Sequence, residues 1–408
     1  MPEIVDAPVI VSNKPGSFSW GVLTERHPAL IRRVRDAFPY GPEQHRALDV
    51  LLGDCTEGVI EPLGADARDR DRWAGWDRGY VGGSWFDAPF LWAESYFYRK
   101  LLDAVGYFGP GPWQGIDPFR PFKQAELRTE EAEAELVALG QLAMRTVDEQ
   151  ARALLQGSLW GNRADLGFHL VSGGGAAGGT AGVGAGHGAG ARVGTGVSAP
   201  LVADDSAALW SLLPAGGPNT VCLVADNAGR ELVPDLLLID HLLRHQHAEH
   251  VVLHVKPYPY FVSDATTADV IDCLRHLKRA DGVAGVVGER LWEAMGRGRL
   301  VVRAHPFSCA PLPYSDMPDD LRQDFAEATV TIMKGDLNYR RLVGDQLWPA
   351  TTSFAERTAY FPGPVAALRT LKSDVIVGLD ERTESALVAA HDQRWRTSGT
   401  HALIQVRR

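Results

Sequence analysis

In the second half of the chain, short apolar runs alternate with longer stretches whose apolar residues recur every three to four positions. The runs predict strands near Thr220–Ala225, His250–Val255, Arg299–Arg303, Thr329–Met333 and Val375–Leu379. Helical spacing marks Glu231–Arg244, Thr267–Arg279 and Gly288–Met295 between them. Parallel strands need a crossover connection, so this alternation predicts a mostly parallel, doubly wound (Rossmann-like) α/β sheet.

From Gly21 to about Leu170 the pattern is helical instead. LTERHPALIRRVRDAF places Leu23, Leu30, Ile31 and Val34 on one apolar face. ADARDRDRWAGWDR alternates in charge, as a solvated helix surface does. WFDAPFLWAESYFYRKLLDA (Trp85 to Ala104) carries aromatics at the spacing of a buried helix face. Four prolines break Gly109 to Pro121, and Thr129 then caps one long amphipathic helix running toward Trp160. The expected organisation is a helical N-terminal domain (1–171), a Gly-rich loop (172–199) and an α/β domain (200–408).

The loop, Ser172 to Gly196, holds twelve of the chain's 43 glycines. It has little apolar surface to offset its ordering entropy, which predicts a mobile surface segment. Gly173, Gly175 and Gly178 match the spacing of a dinucleotide-binding fingerprint, but the helix that fingerprint requires does not follow.

At 408 residues, with 45% hydrophobic and 23% charged residues, the composition is that of an ordinary globular protein of more than one packed unit. A net charge of -10 argues against general nucleic-acid binding. No apolar run is long enough to span a bilayer, so no membrane role is expected. Cys55, Cys222, Cys273 and Cys309 lie far apart, and the first residues show no secretory pattern; both point to reduced thiols in the cytoplasm. Oligomeric state is left open.

Candidate chemistry gathers where the predicted strands end. Asp226 and Asn227 follow the strand at Thr220 and precede a helix, where the crevice of an open α/β sheet lies and free N–H groups favour anions. The pair is either an Asx turn and helix cap or part of a cation site. Asp264, past the next strand, is a helix cap or a third oxygen ligand. Lys334-Gly335-Asp336 opens a further helix carrying Asn338 and Arg340, and is either an arrangement suited to phosphate or a surface turn with solvated charges. Arg369, Thr370 and Lys372 precede a predicted buried strand and serve either an anion or a core ion pair. In the helical half, Glu94 lies among aromatics and either pairs with Arg99 or another base, or faces a polar ligand. Asn162 caps a helix end or reaches the crevice.

DNAGREL, PYFVSD, KGDLNYR and RTLK, in this order, resemble the damage-control phosphatase family once called domain of unknown function 89. The RTxK element resembles its third subfamily, whose animal members were also described as protein-glutamate O-methyltransferases. WFDAPFLWAESYFYR and LLQGSLWGNRAD are similar to that subfamily's helical region, so the resemblance covers nearly the whole chain. It implies a divalent metal on Asp226, Asn227 and Asp264, with substrate near Glu231, Lys334, Asn338, Arg369 and Lys372. The family pattern departs at Thr400, where relatives tend to carry a substrate-contacting lysine.

An all-oxygen ligand set suits Mg²⁺ or Mn²⁺, while Co²⁺ or Ni²⁺ binds at least as tightly by the usual affinity order. The expected function is metal-dependent hydrolysis of a small phosphometabolite, a sugar phosphate of the fructose 1-phosphate kind. Lys334 and Arg369 would hold phosphoryl oxygens, and either Asp226 or a water would attack. The alternatives are an S-adenosylmethionine-dependent carboxyl methyltransferase, suggested by family naming alone, and a non-catalytic sugar-phosphate binder.

Overall fold

A computed structural model describes residues 7–161 and 201–408. Both boundaries of the Gly-rich loop, Asn162 and the glycine fingerprint lie outside the described residues. Seven strands form one sheet: β1 Leu201–Asp204, β2 Thr220–Val224, β3 His250–Val255, β4 Leu300–Ala304, β5 Val330–Lys334, β6 Val365–Thr370 and β7 Ala402–Arg407. Their order is β1-β7-β6-β5-β2-β3-β4. The five strands from β6 to β4 are parallel; β7 pairs antiparallel with β6, and β1 runs parallel to β7. The doubly wound α/β expectation is met, with two reversed strands added at one edge.

The centre of the sheet follows from period-two alternation with both faces apolar. Val221, Leu223 and Ala225 enter one core, packed with Leu232–Arg244, Thr267–Arg279 and Gly282–Gly296. Cys222 and Val224 enter the other, with Asp319–Ala326 and Gly335–Val343. A third apolar cluster lies among the N-terminal helices, from Leu23 to Phe119, with Trp73, Trp85, Trp92, Tyr96 and Phe97 inside it. Among the described residues, no helix is long and apolar enough to cross a membrane.

Three expectations need correction. Val375–Leu379 is buried but is not a strand: the Val377 N–H donates to the Tyr339 hydroxyl and the Gly378 N–H to the Thr352 carbonyl, so these amides serve a packed loop. The strand is Val365–Thr370, which places Arg369 and Thr370 on its last two positions. The single long helix is two, Glu130–Leu142 and Val147–Trp160, because Thr146 and Glu149 form a reciprocal capping box that restarts the helix. The charged run at 65–78 forms only Arg70–Trp76; Trp73 is buried, and the Asp69 carboxylate accepts from buried Arg99.

The connection from β4 returns to the far side of β2 to form β5. The winding therefore reverses between β2 and β5, and the crevice of such a sheet opens at that reversal, beyond the strand carboxyl ends.

Candidate active site

Asp226 and Asn227 leave the tip of β2, and Asp264 lies beyond β3. The two loops are laced together. The Ala265 N–H donates to the Asp226 carbonyl (3.0 Å), the Ala228 N–H donates to the Ser263 carbonyl (2.6 Å), and Asn227 pairs with Asp264 in a β-bridge. Neither residue is spent on a helix cap. Thr266 caps Thr267–Arg279, its hydroxyl accepting from the Asp269 N–H, while Glu231 occupies the cap position of Leu232–Arg244. Asn227 instead accepts from the Ser263 hydroxyl (2.7 Å) and donates to Glu231 Oε2 (2.8 Å). Glu231 is thereby drawn to the same loop.

Two carboxyl groups lie close enough here to repel. Burial, then the Asp264 and Glu231 carboxylates, push the Asp226 carboxyl well above the usual carboxylate range; Lys372 and Lys256 oppose this. Burial also raises Asp264, against Lys256 and Lys123. Asp264 is 3% exposed, and its Oδ2 has no hydrogen-bond partner among the described residues; the Lys256 ammonium stands 3.6 Å away. The Lys256 ammonium compensates this buried oxygen only in part, and a second carboxylate nearby makes further positive charge favourable. Among the described residues no three His, Cys, Asp or Glu side chains gather at a metal site. The candidate set is two carboxylates and an amide, a donor chemistry that fits a hard divalent ion.

The opposite wall comes from β5 and β6, and here several of the candidate ligand residues make internal contacts. Lys334 is 6% exposed, and its ammonium is 2.9 Å from Asp235 Oδ1 and donates to the Ser158 carbonyl. Arg369 is fully buried and takes the core ion pair: it donates to Asp336 Oδ1 (2.8 Å) and Ser373 Oγ, and lies over the Tyr339 ring. Asp336 is therefore engaged as well. Asn338, also fully buried, donates to the Ala225 and Lys334 carbonyls, tying the opening of helix Gly335–Val343 to the β2 tip. Thr370 is buried and pairs with Ala402.

Two cationic and two polar positions remain in different circumstances. Lys372 is exposed, without a polar partner among the described residues, and lies within electrostatic reach of Asp226. Arg340 grips Asp345 through two nitrogens (2.6 and 2.8 Å) and approaches Glu94 Oε2 at 3.7 Å. Glu94 thus meets a base other than Arg99, which binds Asp69 and Asp103. Burial, then the Glu94 and Asp264 carboxylates, push the hydroxyl of Tyr98, one turn beyond Glu94, well above its ordinary range. Thr400 bonds with Ser398 and His401, and the adjoining backbone pairs with Leu371 next to Lys372.

Sequence reasoning missed two lysines. Lys256 directly follows β3 and is 2% exposed, a signal that a lysine closing an apolar run offers. Lys123 reaches the Asp264 loop from far along the chain, and nothing in its local sequence marks it.

A family model for the damage-control phosphatase ARMT1-like domain matches residues 22–388. The chain belongs to this family. It is 28% identical over 447 residues to the damage-control phosphatase ARMT1 of Mus musculus, covering 98% of this chain and 99% of that protein. The Danio rerio ARMT1 is 29% identical, with 96% of this chain and 94% of that protein covered. The Homo sapiens ARMT1 is 30% identical, with 79% and 75% covered. A crystal structure of a DUF89 family protein from Pyrococcus horikoshii is also similar, at 17% identity, TM-score 0.45, and 87% and 92% coverage. All candidate residues from Glu94 to Lys372 fall inside the span matched to the ARMT1-like domain; Thr400 lies beyond it.

Proposed function

We propose that this chain is a metal-dependent phosphatase of a small phosphometabolite, with a sugar phosphate of the fructose 1-phosphate kind as substrate class. The observation that carries this reading is the lacing of the Asp226 and Asp264 loops at the reversal of the sheet, where the buried Asp264 Oδ2 is left without a hydrogen bond among the described residues and exposed Lys372 lies within electrostatic reach of Asp226. Membership of a family of damage-control phosphatases supports the reaction class.

In this reading Asp226, Asn227 and Asp264 hold a divalent ion such as Mn²⁺, Mg²⁺, Co²⁺ or Ni²⁺, which when bound supplies positive charge to the phosphoryl oxygens and orders water near phosphorus. Lys372 holds a further phosphoryl oxygen as a point charge, free to do so because it has no internal partner among the described residues. Lys334 and Arg369, whose sequence context suggests phosphate holders, act one step back by fixing the turn at Gly335 and the end of β6. Glu94 has no hydrogen bond among the described residues and offers its carboxylate as an acceptor for substrate hydroxyls, while Arg340 holds it in place. Glu231 orients the Asn227 amide.

The test is phosphate release across a sugar-phosphate panel with Mn²⁺, Co²⁺ or Mg²⁺, with and without chelator. Metal-stimulated release that chelator abolishes is expected. Equal release with chelator, or tight binding without turnover, would contradict the reading.

A further inference from the structure

Helix Arg120–Glu126 crosses the two loops that carry Asp226 and Asp264. From its middle, Lys123 sends an ammonium into the interior, where the side chain is 4% exposed. Its three protons meet three acceptors: the Asp264 carbonyl at 2.8 Å, Asp117 Oδ2 at 2.9 Å and Asp269 Oδ2 at 2.9 Å. The same Asp269 oxygen accepts from the Thr266 N–H and hydroxyl, so one carboxylate and one ammonium clamp both ends of the stretch 264–266. At its far end the helix lies hard against the other loop. A β-carbon on Gly229, where φ is +63°, would come within 2.6 Å of Glu126 Oε2.

We propose that Lys123 is a positioning residue for the Asp264 carboxylate, holding it at the geometry a shared divalent ion needs without touching ion or substrate. The inference rests on the reading above, in which Asp264 is a metal ligand. The reason for a lysine here is charge and reach together: a neutral side chain would leave Asp117 and Asp269 buried as uncompensated carboxylates and would release the Asp264 carbonyl. The Asp264 backbone would then turn and carry its Oδ2, which the Lys256 ion pair alone does not fix by a hydrogen bond, away from the Asp226 loop. Groups that orient metal ligands from behind typically change metal affinity by roughly 10- to 100-fold when lost.

The experiment titrates Mn²⁺ into the full-length protein and reads free Mn²⁺ by electron paramagnetic resonance, for wild type, Lys123→Met, Asp117→Asn and Arg120→Ala. Lys123→Met is expected to weaken Mn²⁺ binding at least about tenfold, with turnover at saturating Mn²⁺ largely restored. Asp117→Asn, which loosens the ammonium but leaves the lysine, is expected to fall between, and supplies the test if Lys123→Met does not fold. Arg120→Ala, which removes only the exposed pair with Asp272, should bind as wild type does. Unchanged Mn²⁺ affinity in folded Lys123→Met, or in Asp117→Asn when the former is unfolded, overturns the positioning role while leaving the phosphatase reading intact. A wild-type protein that binds no Mn²⁺ overturns both.

Discussion

Gly335 lies directly against Asp226: a β-carbon there would stand 1.8 Å from Asp226 Oδ2 and 2.1 Å from its Cγ. The backbone at Gly335 also has φ +83°, a region L residues adopt at a cost of about 1–2 kcal/mol. The turn after β5 is thus shaped to let the Asp226 carboxylate reach the crevice. Gly335→Ala is expected to displace Asp226, lowering hydrolysis by at least about 100-fold, the scale on which a misplaced group costs rate, while circular dichroism still shows a folded sheet. Near-normal turnover in that variant would mean Asp226 is not held where the chemistry occurs.

Arg369 and Lys372 share the RTLK element, yet the structure places them in opposite circumstances. Removing buried Arg369 leaves the Asp336 carboxylate without its countercharge and the Val375 and Ser373 carbonyls without their guanidinium donor. Arg369→Met should therefore cost about 3–5 kcal/mol of stability in urea unfolding. Lys372→Ala should leave the unfolding curve in place and instead raise KM, since an exposed lysine contributes little to stability. The reverse pattern would assign the phosphate contact to the arginine.

Glu94 supplies a pH dependence whose sign is fixed. Burial lifts its carboxyl from the ordinary 4.5 to about 7, with Asp345 and Asp336 adding to the rise and Arg340 and Arg26 opposing it. The native state then holds this proton more tightly than the unfolded chain, so the stability it contributes is complete below about pH 4.5 and is lost as pH rises through 7. Glu94→Gln lacks that loss. Relative to the variant, wild type should lose up to about 3 kcal/mol between pH 4.5 and 8, because each tenfold change in proton affinity is worth about 1.4 kcal/mol. Urea unfolding at both pH values measures it; a difference that does not change with pH would contradict this environment for Glu94.

The strand tips were legible because short apolar runs alternate there with helical spacing, which puts the oxygen side chains that follow them at the carboxyl ends of parallel strands. Val375–Leu379 misled for the same reason: it is apolar and buried, but its amides bond to Tyr339 and Thr352 across a loop. The true strand, VAALRT, is rich in alanine and ends in a buried arginine, so its composition hides it. Thr146 and Glu149 carried a readable capping box that marks the break between the two helices ending at Leu142 and Trp160. Of the two roles open to Arg369, the core ion pair was not decidable from the sequence, since its partner Asp336 lies 33 residues earlier and only the fold brings them together. Lys123 was hidden in the same way, 141 residues from the carbonyl it binds.

The central claim is that the Asp226 and Asp264 carboxylates share one divalent cation on which hydrolysis depends. Equilibrium Mn²⁺ binding to wild type, Asp226→Ala and Asp264→Ala, each verified as folded, addresses it most directly. One ion per wild-type chain, and loss of that ion together with phosphate release in either variant, is the expected result. Full Mn²⁺ binding or full hydrolysis in either folded variant would contradict the account.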